Sequence, residues 1–394
     1  MADAVSAPQA PDRKLPDYRF RFVLLILAAV ICIVGSFAVG RYSLGIADVI
    51  LVFLSSFHSL IGSSVTVCET FLSILPPFSP LSGAVWSVSF LSSGIAHLLS
   101  MILPGPDTWD FATYSVLFNI RLPRICAAIL VGAALSTAGA AYQGMFQNPL
   151  VSPDILGASA GAGFGAAVAI YFYLGTGAIT AFAFAGGLIA VGAAYLISRL
   201  TKGSATLSMV LAGILIGSLF SAATSYIKLV ADTNDQLPAI TYWLMGSLAG
   251  AESDYKLGLA AVVIGLGLLP LVLLRWRMNV LTLGEDEARS IGVNTNLLRL
   301  VVIICATLVT AVAVSISGLI GWVGLVIPHF CRMIFGYDYR RIIPAAIIMG
   351  AGFLLLVDDF SRTIATTEVP LGILTAFVGA PIFAYLLMMG GKRS

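Results

Sequence analysis

Charge is scarce in this chain. Asp, Glu, Lys and Arg make up 10% of its 394 residues, against about 25% in an ordinary soluble domain. That is too little polar surface to cover a water-soluble fold of this length. Histidine is rarer still, at three residues (His58, His97 and His329). The five cysteines, Cys32, Cys68, Cys126, Cys305 and Cys331, have no metal-like spacing and mostly sit in apolar segments. They read as small hydrophobes, and no metal site or cofactor is expected. No Walker A sequence occurs, since the terminal Gly390-Gly391-Lys392-Arg393-Ser394 lacks its spacing. No nucleophile stands in an evident arrangement with a base. These absences argue against ATP hydrolysis or covalent catalysis by the chain itself, so it does not read as an enzyme. A net charge of +2 gives no sign of a nucleic-acid partner.

What is present is hydrophobicity, at 59% of residues. Uncharged runs at Phe22–Gly40, Ile125–Met145, Ile155–Tyr173 and Leu257–Leu274 approach the ~20 residues that span a bilayer. The expected fold is all-α and polytopic, embedded in membrane lipid. Ten spans are predicted, at 22–40, 125–145, 156–174, 179–198, 206–227, 257–274, 300–317, 321–335, 342–361 and 371–389. With the N-terminus inside, fifteen of the 21 Lys and Arg fall on the cytosolic side. Only Arg41, Arg121, Arg124, Lys228, Lys256 and Arg362 lie on the far side, so the positive-inside rule puts both termini in the cytosol. The first apolar run is too long for a signal-peptide core, and residues 1–21 are expected to stay attached as a cytosolic tail. Residues 22–391 then form one transmembrane domain.

The stretch from Leu51 to Asp110 does not fit a simple loop. Pro76, Pro77, Pro80, Pro104 and Pro106 break it, yet Leu81–Leu103 is nearly apolar. It is expected to be a periplasmic or membrane-adjacent insertion. Much of the abundant glycine falls inside the spans, as in Gly157-Ala-Ser-Ala-Gly161-Ala-Gly163-Phe-Gly165. A dinucleotide fingerprint needs a preceding strand and a following acidic residue. Close helix packing in lipid is the better account.

Ion-coupled carriers usually place ionisable groups at membrane depth. The candidates here are Asp358 and Asp359, near the outer end of the ninth span, where interfacial solvation with Arg362 as partner accounts for them better. Energy is therefore expected from a partner protein, with an ion-coupled secondary transporter as the alternative. Leu281 to Val293, between the sixth and seventh spans, contains Glu285-Asp286-Glu287-Ala288-Arg289 and the turn-former Gly292. It is either a short helix offering charges to a docking partner or a solvated loop.

Four segments carry a family resemblance. They are Arg121-Leu-Pro-Arg124 through Gln143-Gly-Met-Phe-Gln147-Asn148-Pro149-Leu150; Tyr242-Trp243-Leu-Met-Gly246-Ser247; Leu283-Gly284-Glu285 to Gly292, with Gly318-Leu-Ile-Gly321 and Pro328-His329; and Glu368-Val-Pro370-Leu-Gly372 with Gly379-Ala-Pro381. In this order and spacing the chain resembles the FecCD-type permease subunits of binding-protein-dependent ABC importers for iron–siderophore complexes, haem and cobalamin. The insertion after the first span departs from that pattern.

The resemblance implies a homodimer in the inner (cytoplasmic) membrane, with the substrate path along its axis. It implies two cytosolic ATPase subunits docking on a loop that contains Glu285, Asp286, Glu287, Ala288 and Gly292. It implies a periplasmic or surface substrate-binding protein that meets Arg121, Arg124 and Arg362, although arginines at span ends also anchor lipid headgroups. Asn148, Leu150 and Thr206 match positions that constrict the cytosolic exit, while Asn148-Pro149 also suits a plain turn. Asp232–Gly246 matches a short outer gating helix. His329 is given no role; His58 and His97 fall in the insertion. Iron–siderophore ranks first as substrate, then haem, then cobalamin.

Overall fold

The computed structural model describes residues 18–40, 42, 45, 47–50, 52–53, 111–201, 204–250, 254–282 and 284–390. Nearly all of the 51–110 insertion, with Cys68, His58 and His97, lies outside the described residues, as does most of the expected N-terminal tail. Among the described residues the fold is helical, with no strand. The helices are α1 (Tyr18–Ala38), α2 (Leu122–Met145), α3 (Ala158–Tyr171), α4 (Thr176–Leu200), α5 (Ala205–Val230), α6 (Gln236–Met245), α7 (Asp254–Leu281), α8 (Glu285–Ser290), α9 (Thr295–Ser317), α10 (Val323–Phe335), α11 (Tyr339–Thr363) and α12 (Leu371–Gly390). A helical turn, Phe111–Ser115, and a wider π-helical segment, Val116–Arg121, lead into α2.

A helix stands at each of the ten predicted positions. Seven are long and apolar enough to cross a bilayer: α1, α4, α5, α7, α9, α11 and α2 with its lead-in. Two fall short, with apolar stretches at Ala158–Tyr171 and Val323–Phe335, while α12 runs for 20 residues. The sequence expectation counted α3 and α10 as full spans because flanking apolar loop residues extend their hydrophobic runs. Backbone geometry ends them earlier. Tyr173 and Trp322 adopt left-handed conformations, and Gly157 and Gly318 cap neighbouring helix ends with positive φ.

α2 is the central post, with small residues on every face and twenty of its residues buried. A helix apolar all round belongs in a core, and small side chains let neighbouring backbones approach closely. Gly132 lies directly against the Gly350 backbone of α11, and Gly139 against the Gly324 backbone of α10. Gly144 leaves room for the Tyr339 ring, which an added Cβ would meet at 2.7 Å. Ser136 and Tyr142 find partners within this packing, whereas the buried Thr137 hydroxyl has none among the described residues. Ser136 Oγ donates to the Ala346 carbonyl at 2.7 Å, and the Tyr142 hydroxyl pairs with Thr307 Oγ1 at 2.9 Å. By contrast, α1, α5 and α7 carry large exposed apolar residues such as Ile31, Leu219 and Leu273, as a lipid-facing rim requires.

Gly139→Leu drives a side chain into the Gly324 backbone. It is expected to destabilise the bundle by about 1–3 kcal/mol and lower the thermal midpoint in detergent. Gly265→Ala, in α7 where a Cβ meets nothing within 4 Å, should keep or raise that midpoint. Equal midpoints for the two variants would rule this packing out.

Candidate functional site

Among the described residues, six charged side chains gather where α1, α2 and α11 end together. The π-helical lead-in turns Arg121 toward α1, where it donates to the carbonyls of Phe37 and Tyr42. One helical step on, Arg124 donates through Nε to both oxygens of Asp358, at 2.9 and 3.1 Å. Its Nη1 reaches Glu368 Oε1 at 2.8 Å. From the opposite side, Arg362 Nε lies 3.1 Å from Asp358 Oδ2 and Nη2 pairs with Asp359. Ser36 Oγ completes the cluster, donating to Asp359 Oδ1 at 2.7 Å and accepting from Arg362 at 3.1 Å.

This geometry corrects one expectation. Asp358 and Asp359 are buried rather than solvated at an interface; Arg362 is a partner of both, and Arg124 shares Asp358. Among the described residues, three guanidinium groups stand against three carboxylates, and bidentate geometry offsets the desolvation of the buried members. Arg121, Arg124 and Arg362 are themselves buried, with partners inside this chain. The sequence signal for that pairing was faint because Arg124 and Asp358 are 234 residues apart.

Beside the cluster, three glycines allow three backbones to cross. A Cβ on Gly246 would meet the Leu319 carbonyl at 2.5 Å, and one on Gly372 would meet the Met245 carbonyl at 2.5 Å. Gly318 lies against the Trp243 carbonyl and Gly246 Cα. Ser247 N donates to Ser317 O at 2.8 Å, and Leu371 N to Gly246 O at 2.9 Å. The expected short outer helix is present as α6. Gln236 fixes its start, accepting from Asp232 N at 2.9 Å and donating to Tyr171 O at 2.7 Å. An apolar cavity of about 690 Å³ opens beside its other end, lined by Leu244, Met245, Leu319, Trp322, Gly372, Ile373, Phe377 and neighbours.

At the opposite end of the bundle, Leu283–Val293 contains a helix rather than a featureless loop. α8 ends in a Schellman turn, with Val293 N bonding Ala288 O at 3.1 Å and Gly292 N bonding Arg289 O at 2.9 Å. Gly292 takes φ +82°, which favours glycine. Ala288 is buried and Glu287 exposed; the side chains of Glu285 and Asp286 lie outside the described set.

The gate candidates are split. Asn148 Oδ1 accepts from Leu150 N at 2.9 Å in a side-chain-stabilised turn, and both residues are exposed. Thr206 instead lines a small cavity of about 80 Å³ with Met145, Phe146, Tyr195 and Arg299; Asn148 and Leu150 do not line it. His329 sits half-buried on α10, and among the described residues no three His, Cys, Asp or Glu gather as a metal site.

Several polar residues at this end were not singled out from the sequence. Gln147, held at φ +52°, donates Nε2 to the Leu281 carbonyl at 2.6 Å, joining the end of α2 to the end of α7. Asn279 donates to Asp338 Oδ1 at 2.7 Å and accepts from Tyr339 N at 2.7 Å, joining α7 to α11. Burial alone would raise the Asp338 carboxyl. The hydrogen bonds from Asn279 and the Arg340 backbone, with the charges of Arg340 and Arg341, hold it below its usual range instead. Arg332 Nη1 reaches Gln143 Oε1 at 2.6 Å within the core. The available signal was an amide or guanidinium in an apolar run, which by itself names no partner.

The bundle, the charge cluster and the exposed α8 define a membrane permease component. The FecCD transport family model matches residues 27–389, and the chain belongs to that family. It is 39% identical over 315 residues to the molybdate import permease MolB of Haemophilus influenzae, covering 77% of this chain and 93% of that protein. It is 34% identical over 309 residues to the hemin permease HmuU of Yersinia pestis, covering 76% and 92%. A solved inward-facing structure of a transporter assigned to the metal-chelate ABC type superposes with a TM-score of 0.74 at 32% identity, covering 94% of this chain and all of that one. The chain is thus the multi-pass permease subunit of an ABC importer, a transport component and not an enzyme.

Asp358→Asn leaves Arg124 and Arg362 short of a buried counter-charge. It should cost about 3–5 kcal/mol, read as a lower midpoint of denaturant unfolding in mixed micelles. Glu368→Gln, at a side chain 30% exposed, should cost clearly less. The reverse ranking would place the centre of the cluster at Glu368.

Proposed function

We propose that two copies of this chain form the translocation path of an importer for a metal chelate, across the cytoplasmic membrane. Iron–siderophore complexes rank first. An iron-chelatin permease of Helicobacter pylori is 42% identical over 273 residues, and the lining of the 690 Å³ cavity is almost entirely apolar. Haem and cobalamin follow, and the similarity to MolB adds molybdate to the substrates worth testing. Exposed Phe377 and Val378 on α12 give the second copy an apolar face to cover.

Two ATPase subunits dock on α8 from the cytosol, and closure of the ATPases moves α8 against the bundle. The observation that carries this reading is the Gln147–Leu281 bond. It ties the helix leading into the docking segment to the residue beside Asn148. Asn148, Leu150 and Thr206 form the cytosolic gate, and α6 the outer one. A substrate-binding protein sits over the outer charge cluster, with Arg124 as the contact and Arg121 and Arg362 supporting it from beneath. Both termini face the cytosol. An ion-coupled mechanism has lost its candidates, since Asp358 and Asp359 are already neutralised by arginine.

Gly292→Pro removes the Schellman donor and cannot adopt φ +82°. In proteoliposomes with ATPase and binding protein it should reduce uptake per ATP hydrolysed at least about tenfold, while the permease still inserts. Gln147→Ala should act in the same direction more mildly. Wild-type uptake per ATP in both variants would overturn the coupling route. Uptake that continues without ATP would overturn the whole reading. Comparing uptake of iron–siderophore, haem, cobalamin and molybdate in the same vesicles decides the substrate.

A further inference from the structure

The charge cluster is not held equally tightly throughout. Asp358 has no exposed side-chain surface and is gripped by two arginines, whereas the Glu368 side chain is 30% exposed. Glu368 binds Arg124 through Oε1 alone, and its buried Oε2 has no hydrogen-bond partner among the described residues. A carboxylate oxygen left buried and unpaired is costly. Glu368 is therefore the member of the cluster that is easiest to withdraw.

Formal charge then decides how an acidic partner could engage Arg124. Among the described residues three arginines face three carboxylates, so a fourth carboxylate would tip that set toward net negative charge in a poorly solvated site. Exchange keeps the balance: one carboxylate arrives at Nη1 while another departs to water. Arg124 stays paired with Asp358 throughout.

We propose that Glu368 is an internal stand-in for a carboxylate of the substrate-binding protein, capping Arg124 in the free permease and expelled when that protein docks. This rests on the docking reading given above and adds to it a device by which docking is felt inside the bundle. Glu368 belongs to the short connection between α11 and α12. Its neighbour Val369 is bonded both ways to Ser361, with Ser361 Oγ donating to Val369 O at 2.7 Å and Val369 N to Ser361 O at 3.2 Å. Three residues on, Leu371 N holds the Gly246 carbonyl at the end of α6. Expelling Glu368 pulls on the first turn of α12 and, through Gly246, on the glycine crossing with α9. The binding protein's carboxylate thus loosens the outer end of the path without touching it.

The test uses the full permease with its ATPase subunits in nanodiscs, titrated with its substrate-loaded binding protein. Glu368→Gln frees Arg124 from an internal competitor and is expected to tighten the complex about tenfold, with a steeper loss of affinity on adding salt. A merely structural glutamate predicts equal or weaker binding, and that result overturns the proposal. If the wild-type permease forms no complex at all, the docking reading fails and the proposal falls with it. A second readout does not depend on the variant folding well. Spin labels at Thr367→Cys and Asn234→Cys, in a permease whose five native cysteines are replaced by alanine and whose Glu368 is kept, should report a changed distance when the binding protein is added. An unchanged distance in a formed complex also overturns the proposal. In Glu368→Gln the changed distance should be present before any protein is added.

Discussion

Everything else in the bundle depends on the contact of α2 with α10 and α11 at backbone distance. In lipid there is no hydrophobic drive bringing one apolar helix to another, so packing must come from close fit and hydrogen bonding. Gly132 and Gly139 provide that fit, and Ser136 adds an interhelical bond to Ala346. Once α2 and α11 are antiparallel and in register, their ends coincide. Arg124 then meets Asp358 at one end, and Gly144 meets Tyr339 at the other.

The two ends do different work with similar means. At the outer end, charge is concentrated, paired and mostly buried, so the helix ends are held by strong directional pairs. At the opposite end, amides do much of the joining, beside the Asp338 carboxylate. Gln143, Gln147 and Asn279 join α2, α7, α10 and α11 through backbone carbonyls and single side-chain contacts. The bonds to carbonyls contribute about 0.5–1.5 kcal/mol each, and those to the Asp338 carboxylate and the Arg332 guanidinium about 1.5–3 kcal/mol. The glycine crossing of α6, α9 and α12 lies beside the outer cluster, where a small shift in one backbone must be followed by the other two.

Much of the fold was legible in the sequence. Long uncharged runs in a chain with 10% charge leave few alternatives to a helical membrane bundle, because no other spanning form satisfies the backbone inside one segment. A short helix between Leu281 and Val293 was one of two readings that the charge pattern and Gly292 allowed, a solvated loop being the other. The positions of α3 and α10 were readable but their lengths were not. Left-handed turns at Tyr173 and Trp322 stop a helix without any break in hydrophobicity. The charge cluster was the main misreading. Asp358 and Asp359 looked like solvated residues near a span end, because two of their partners, Ser36 and Arg124, lie on α1 and α2, far away in sequence.

By itself, the sequence determined that this protein is a helical membrane protein, since composition is a property of the chain regardless of how it packs, and its ordered motifs carried the resemblance to FecCD permeases. Only the tertiary structure decided which charges face one another. Arg124 and Glu368 are 244 residues apart, and a sequence records that both are present, not that one caps the other. Pairing at that separation is set by the register of α2 against α11. That register comes from glycine contacts no wider than a backbone, whose partners cannot be named until the helices are packed.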